Sequence, residues 1–164
     1  MISLLEPITT HRQRRAASVV RSEAEAVAFF ERLVTFCREC SPPGKCFYGW
    51  EDKVLRNYLA FHLLERTLAF APGPGGEING VGIVFQVNEA AIRGRARFDW
   101  TKDDINGDSV CILQWLCVTT EARRCLLEWF EQRHPCWRSL TVLHHRGGTL
   151  RTVPHAVIEK FLRL

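Results

Sequence analysis

No run of apolar residues in this chain is long enough to cross a bilayer. The longest, residues 110–118, is broken by Gln114 and has about half of the roughly 20 residues that a spanning helix needs. An apolar leader is also lacking, since Glu6, Arg12, Arg14 and Arg15 stand where a secretion signal would be hydrophobic. Charge of one sign is scarce as well: 22 Lys and Arg against 18 Asp and Glu leave a formal net charge of +4, too little to imply a nucleic-acid partner by itself. The seven cysteines form an odd set, and Cys37, Cys111, Cys117 and Cys125 fall inside apolar periodic segments, where a free thiol packs as a small hydrophobe. Cys37-x-x-Cys40, with Cys46 nearby, has no second cysteine pair to complete a structural zinc site. These absences lead to the expectation of a reduced, cytoplasmic protein with no membrane span and no metal.

What is present is an ordinary globular mixture, 46% hydrophobic and 24% charged over 164 residues, enough for one domain with a real core. Residues 1–21 show no clean period and are expected as an irregular lead-in. Ser22 with Glu25 forms a capping box, and Val27, Phe30, Val34 and Cys37 follow at helical spacing, so the pattern predicts a helix over 23–39. Ser41-Pro42-Pro43-Gly44 breaks it, and Val54, Leu55, Tyr58, Leu59, His62 and Leu63 predict a second helix over 50–65. His62 lies on that apolar stripe and reads as a hydrogen-bonded core group. These two helices occupy 22–66, and the remainder, 67–164, reads as a sheet with helices between and after its strands.

Past residue 66 the period changes. Residues 67–71, the turn Pro72-Gly73-Pro74-Gly75-Gly76, and the alternating Val81, Ile83, Phe85 and Val87 predict a hairpin. Residues 89–108 are polar and arginine-rich, ending in the turn Asn106-Gly107-Asp108. The 110–118 run is apolar on both faces, as a strand covered on each side should be. Thr119 or Thr120 can cap the next helix, whose apolar face is Ala122, Cys125, Leu126, Trp129 and Phe130, and His134-Pro135 ends it. Leu140, Val142 and His144 alternate, Arg146-Gly147-Gly148 turns the chain back, and Val157, Ile158, Phe161 and Leu162 mark a last helix. Strand alternation sends His144 and His145 to opposite faces.

This order of elements, together with Phe98-Asp99-Trp100-Thr101 before the strand and Gln114-Trp115 inside it, resembles the GNAT acyltransferase superfamily, most closely its toxin-activating lysine acyltransferase branch. The resemblance spans roughly residues 50–153. It implies an α/β (α+β) fold with a mixed, mostly antiparallel sheet flanked by helices. It also implies that the 110–118 strand pairs with the pantetheine arm of acyl-CoA and that the following helix points its N-terminus at the pyrophosphate. Carried onto this chain, the cofactor contacts are Leu116, Val118, Thr119, Thr120, Arg123 and Arg124, with an amine or a protein as acceptor. A helix N-terminus offers unpaired N–H groups to phosphate, and Arg123 and Arg124 in the first turn add charge, unless Glu121 offsets them and they only reach solvent.

The sequence departs from the superfamily at two points. The strand-to-helix junction Val118-Thr119-Thr120-Glu121-Ala122-Arg123 has no glycine where an Arg/Gln-x-x-Gly-x-Gly/Ala turn is usual, and the branch's catalytic histidine and strand aspartate are replaced by Pro43-Gly44-Lys45 after Ser41-Pro42 and by Gln114. Gln114 cannot be a base, though it can orient an amine or a water. Asp99, Asp103, Asp104 and Asp108, in the polar segment before the strand, and His144 are the substitute candidates for moving a proton, beside the plainer readings of solvated loop acids and a packed strand histidine. Cys46 would be a nucleophile only where a cation or helix end lowered its pKa. Two other functions stay open: a non-catalytic protein-interaction module on the same scaffold, and nucleic-acid binding through Arg12, Arg14, Arg15, Arg21, Arg93, Arg95 and Arg97.

Overall fold

The computed structural model describes residues 22–93, 102–146 and 149–162, and Asp99 with most of the predicted basic segments lies outside them. The elements run α1 (Glu23–Glu39), α2 (Asp52–Leu64), β1 (Leu68–Pro72), β2 (Ile78–Val87), α3 (Glu89–Arg93), β3 (Ser109–Cys117), α4 (Thr120–Arg133), a 3-10 turn (Trp137–Ser139), β4 (Thr141–Arg146), β5 (Thr149–Thr152) and α5 (His155–Leu162). The strands form one sheet in the order β1-β2-β3-β4-β5, antiparallel at every step except the parallel pair β3–β4. It is the mixed, mostly antiparallel sheet flanked by helices that the resemblance implies, preceded by the two helices that the sequence pattern predicts.

The helices begin and end where side chains can serve their unpaired backbone groups. Ser22 and Glu25 close the predicted capping box on α1, each side chain accepting from the other's backbone N–H. α1 and α2 are tied by Arg56, which donates to Glu31 across the pair and to Asp52 one turn back. Two differences from the sequence expectation lie in polar stretches. The segment after β2 begins with the short helix α3, held by a Glu89–Arg93 ion pair one turn apart and by the buried Ile92. After α4 the chain makes a 3-10 turn around the fully buried Trp137 before β4 starts. Single apolar anchors, too sparse to set a period, explain both.

Each face of the sheet has its own core. On one, α1, α2 and Phe47 pack against Val81, Ile83, Phe85, Cys111, Leu113, Leu116 and Leu143. On the other, α4, the 3-10 turn and α5 pack against Val84, Val110 and Val142. His62 is buried in the first core and shares a 2.7 Å hydrogen bond between its Nδ1 and Thr67 Oγ1. All seven cysteines are free, and among the described residues no helix is long and apolar enough to cross a membrane.

His134 closes α4 and is only 4% exposed, with its Nε2 lacking a partner among the described residues. Burial holds its imidazole down to about 4 from an ordinary 6.5; the neighbouring Asp103 carboxylate pulls the other way, and Arg133 pushes it further down. Asp103 is itself fixed, accepting the Gln86 N–H and pairing with Arg133. Between pH 6.5 and 4 the unfolded chain therefore binds a proton that the folded chain refuses, and stability is lost as pH falls through that window. The loss should approach about 3 kcal/mol in urea unfolding. It should shrink in His134→Gln; an equal pH dependence in both proteins would assign it to other groups.

Candidate functional site

β3 has two edges with different fates. Its first four positions pair with β4 (Ser109↔Thr141, Val110↔Val142, Cys111↔Leu143, Ile112↔His144), and there the parallel ladder stops. The opposite edge stays paired with β2 up to Gly80↔Cys117. Residues 113–117 thus have a sheet neighbour on one side only. Within this stretch the register slips, with Ile83 opposite Gln114 and Val84 opposite Ile112, so Leu113 is an extra residue in β3. The bulge changes which side chains face which core. Leu113 and Leu116 both lie in the α1–α2 core, three positions apart, and Ile112, Trp115 and Cys117 pack on the α4 side.

Backbone groups alternate sides along an antiparallel ladder. Val118 donates its N–H to the Asn79 carbonyl of β2, so Trp115 and Cys117 turn theirs to the unpaired edge. In accord with this, the Trp115 carbonyl accepts a hydrogen bond from the Cys46 thiol, 3.9 Å away in the α1–α2 loop. Cys46 reaches it with a left-handed backbone, φ +47. The loop is set by Ser41, which donates to the Cys37 carbonyl at 2.5 Å and accepts the N–H of the buried Phe47 at 3.2 Å. Burial raises the Cys46 thiol against the smaller opposing effects of the Trp115 carbonyl and Lys45, and pushes Cys117 up to about 11 against the pull of Arg123. Both sulfurs are protonated at neutral pH, which makes Cys46 a hydrogen-bond donor here; the lowered pKa that a nucleophile needs is not found.

β3 runs straight into α4. Thr119 is the N-cap, its Oγ1 accepting the Ala122 N–H at 3.0 Å while its carbonyl takes the Arg123 N–H. Among the described residues, the amides of Thr120 and Glu121 have no acceptor, the usual state of a helix's first turn. Beside this helix start, on the α4 side of the parting strands, lies a cleft of about 390 Å³. Ile112, Trp115, Arg123, Leu127, Phe130 and His144 line it, and Val153, Val157 and Ile158 close it. A second groove of about 770 Å³ runs along the other flank of α4, against Pro72, Asn79, Glu121, Arg124 and Glu128.

The residues singled out from the sequence are distributed by this geometry. His144 and Arg123 meet in the cleft, and Arg124 lines the second groove, so the two arginines diverge. Leu116 is 5% exposed in the α1–α2 core, and its backbone faces β2. Val118 and Thr120 are exposed at the strand-to-helix junction, and Thr119 caps the helix. Gln114 sits half-buried at the bulge, opposite Ile83. Three contributors were not picked out from the sequence as site residues: Trp115, Cys46 as an edge donor, and the Leu113 bulge. A signal for the first exists in Gly82, its partner across the ladder, where a bare backbone leaves room for an indole.

One sheet whose central strand runs into a capped helix is the arrangement that the sequence resemblance implies; the parting of β3 from β4 is seen only in the structure. The strand order and the strand-to-helix junction agree with that GNAT-like arrangement. No protein-family model and no curated protein matches the chain. A solved structure to which it is similar is described as the GphF GNAT-like decarboxylase in complex with isobutyryl-CoA. The identity is 14% and the TM-score 0.49, over 71% of this chain and 60% of that one. This chain thus matches less than two thirds of that protein's length.

A Cβ at Gly82 would lie 3.2 Å from two indole carbons of Trp115. Gly82→Val should therefore push the ring off its seat and cost about 1–3 kcal/mol in urea unfolding. In a double-mutant cycle, Trp115→Ala should relieve a large part of that cost; strictly additive costs would mean that the indole does not rest on Gly82.

Proposed function

We propose that this protein binds acyl-CoA at the parting of β3 and β4 and transfers its acyl group to an amine. The observation that carries the reading is the unpaired edge at residues 113–117, which offers outward backbone groups at Trp115 and Cys117 and leads into the first turn of α4. A pantetheine arm carries two amides and can pair with such an edge as a short strand would. To do so it takes over the Trp115 carbonyl from the Cys46 thiol, a weak donor that is easily exchanged. At the other end of the arm, the Thr120 and Glu121 amides, the helix dipole and Arg123 suit a pyrophosphate. The apolar lining from Trp115, Leu127 and Phe130 excludes water around the arm.

The chemistry asks for an amine that has lost its proton, attack on the thioester carbonyl, and departure of the CoA sulfur. Among the described residues that line the cleft, His144 is the one that can take up a proton near neutral pH, and we assign it the role of general base. Gln114, beside the bulge, orients the amine by hydrogen bonding. Asp99 remains a candidate for the same proton and lies outside the described residues. A second reading, a scaffold that binds without catalysing, is favoured by the absence of any carboxylate among the described residues that line the cleft.

Thermal-shift titration with acetyl-CoA and longer acyl-CoAs tests the binding half. Stabilisation is expected, weakened about tenfold or more in apparent affinity by Arg123→Glu and far less by Arg124→Glu, which faces the other groove. No stabilisation by any acyl-CoA would remove the reading. The catalytic half is tested by CoA release in the presence of small amines. His144→Gln should lower the rate by about 100-fold or more with binding retained, and full activity in that variant would release His144 from the role.

A further inference from the structure

The cleft is exposed at one end and buried and apolar at the other. β3 and β4 are parallel, so α4 must carry the chain from the end of one strand back to the start of the other. Its first turn therefore stands over the parted strands and its third over the paired rungs, with Arg123 and Phe130 about 10 Å apart along the helix axis. Arg123 is exposed, and Phe130 is 1% exposed. Val153 fixes the buried end independently: it lines the cleft and donates its N–H to the Val142 carbonyl, two positions before His144 in β4. Phe130 and Ile158 share a core with Val142 and with its rung partner Val110. His144, on the last rung, thus divides the cleft. Beyond it towards α4's first turn lies the unpaired edge; on the other side lie Phe130, Val153, Val157 and Ile158, which have no polar side-chain atom.

The acyl-CoA reading puts the pantetheine arm on the edge and the thioester beside His144, so the acyl tail is what runs on past that rung. There β3 and β4 are bonded to each other and leave no edge, and the tail meets side chains that offer dispersion contacts and no hydrogen bond. At roughly 30 Å³ per group of water size, a cleft of about 390 Å³ has room for on the order of a dozen heavy atoms, of which an acetyl thioester fills about a third. An acetyl tail would leave the floor without partner atoms, and a charged tail would be buried there unpaired. Building on the acyl-CoA reading, we infer that the region past His144 is an acyl-chain subsite that selects donors with an apolar tail of roughly four to six carbons. Val157, on its wall, limits the length.

Calorimetric titration of acetyl-, butyryl-, hexanoyl- and succinyl-CoA decides it. In the wild type, affinity should rise about threefold per added methylene from acetyl to hexanoyl. Succinyl-CoA, which ends in a carboxylate where butyryl-CoA ends in a methyl, should bind about tenfold more weakly than butyryl-CoA. Val157 is 44% exposed, so Val157→Trp can be accommodated while its indole takes up the tail's space; the hexanoyl-to-acetyl preference should fall towards one. Val157→Leu, a smaller addition, should lower it part of the way, and cooperative urea unfolding shows that either variant is folded. Equal affinity of the wild type for acetyl- and hexanoyl-CoA, succinyl-CoA bound as tightly as butyryl-CoA, or a full preference that survives in the folded variants overturns the inference and leaves the acyl-CoA reading standing. Failure of all four ligands to bind takes both down.

Discussion

A strand inside a sheet has two rows of backbone groups to satisfy, and in β3 those rows are satisfied over different lengths. Parallel pairing with β4 ends at Ile112, and antiparallel pairing with β2 continues to Cys117. Buried backbone groups rarely stay unpaired, so the leftover edge must meet something. In the structure it meets a thiol from the α1–α2 loop at one carbonyl. Most other features near the cleft answer to this inequality. The bulge at Leu113 lets β3 keep its β2 partners while re-aiming its side chains, and the continuation into α4 delivers a helix start at the open end.

The two cores allow such a gap without collapse. The α1–α2 core holds β2 and the first half of β3 from one side, and α4 holds β1 and β2 from the other. α4 comes close because Gly80 has no side chain: a Cβ there would be 3.2 Å from that of Ala122 and 3.3 Å from that of Ala71. Helix and sheet are thereby fixed before β4 is reached, and β4 is free to diverge. Anchoring at the far end of α4 is polar, where Arg133 and Asp103 bind the segment leading into β3.

Much of this was legible from the residues. The capping box at Ser22, the helical stripes of α1, α2 and α4, the alternation of β2 and the doubly apolar β3 are periodic signals, and periodicity is what a sequence states most plainly. So were the opposite orientations of His144 and His145, which follow from strand geometry alone. The divergence of Arg123 and Arg124 was not, because adjacent helical residues point about 100° apart and only the packing of α4 decides which groove each meets. Nor was the point where β3 and β4 separate, since no residue type marks a ladder's end. The Cys46–Trp115 contact joins positions far apart in the chain, and Cys46 adopts a backbone that few non-glycine residues take.

The bulge gives the second half of β3 an unusual kind of encoding. Because the bulge absorbs one surplus residue, the orientation of Trp115, Leu116 and Cys117 is set by their β2 partners and not by alternation counted from the start of β3. Deleting Leu113, with every neighbouring identity kept, would close the bulge and leave Gln114 opposite Ile83, so that Leu116 would still face α2 and Trp115 would still face α4. Two chains that differ by one residue at this point of the strand would thus present the same surface to whatever enters, while strict alternation counted from Ser109 would assign Trp115 and Leu116 to the wrong faces.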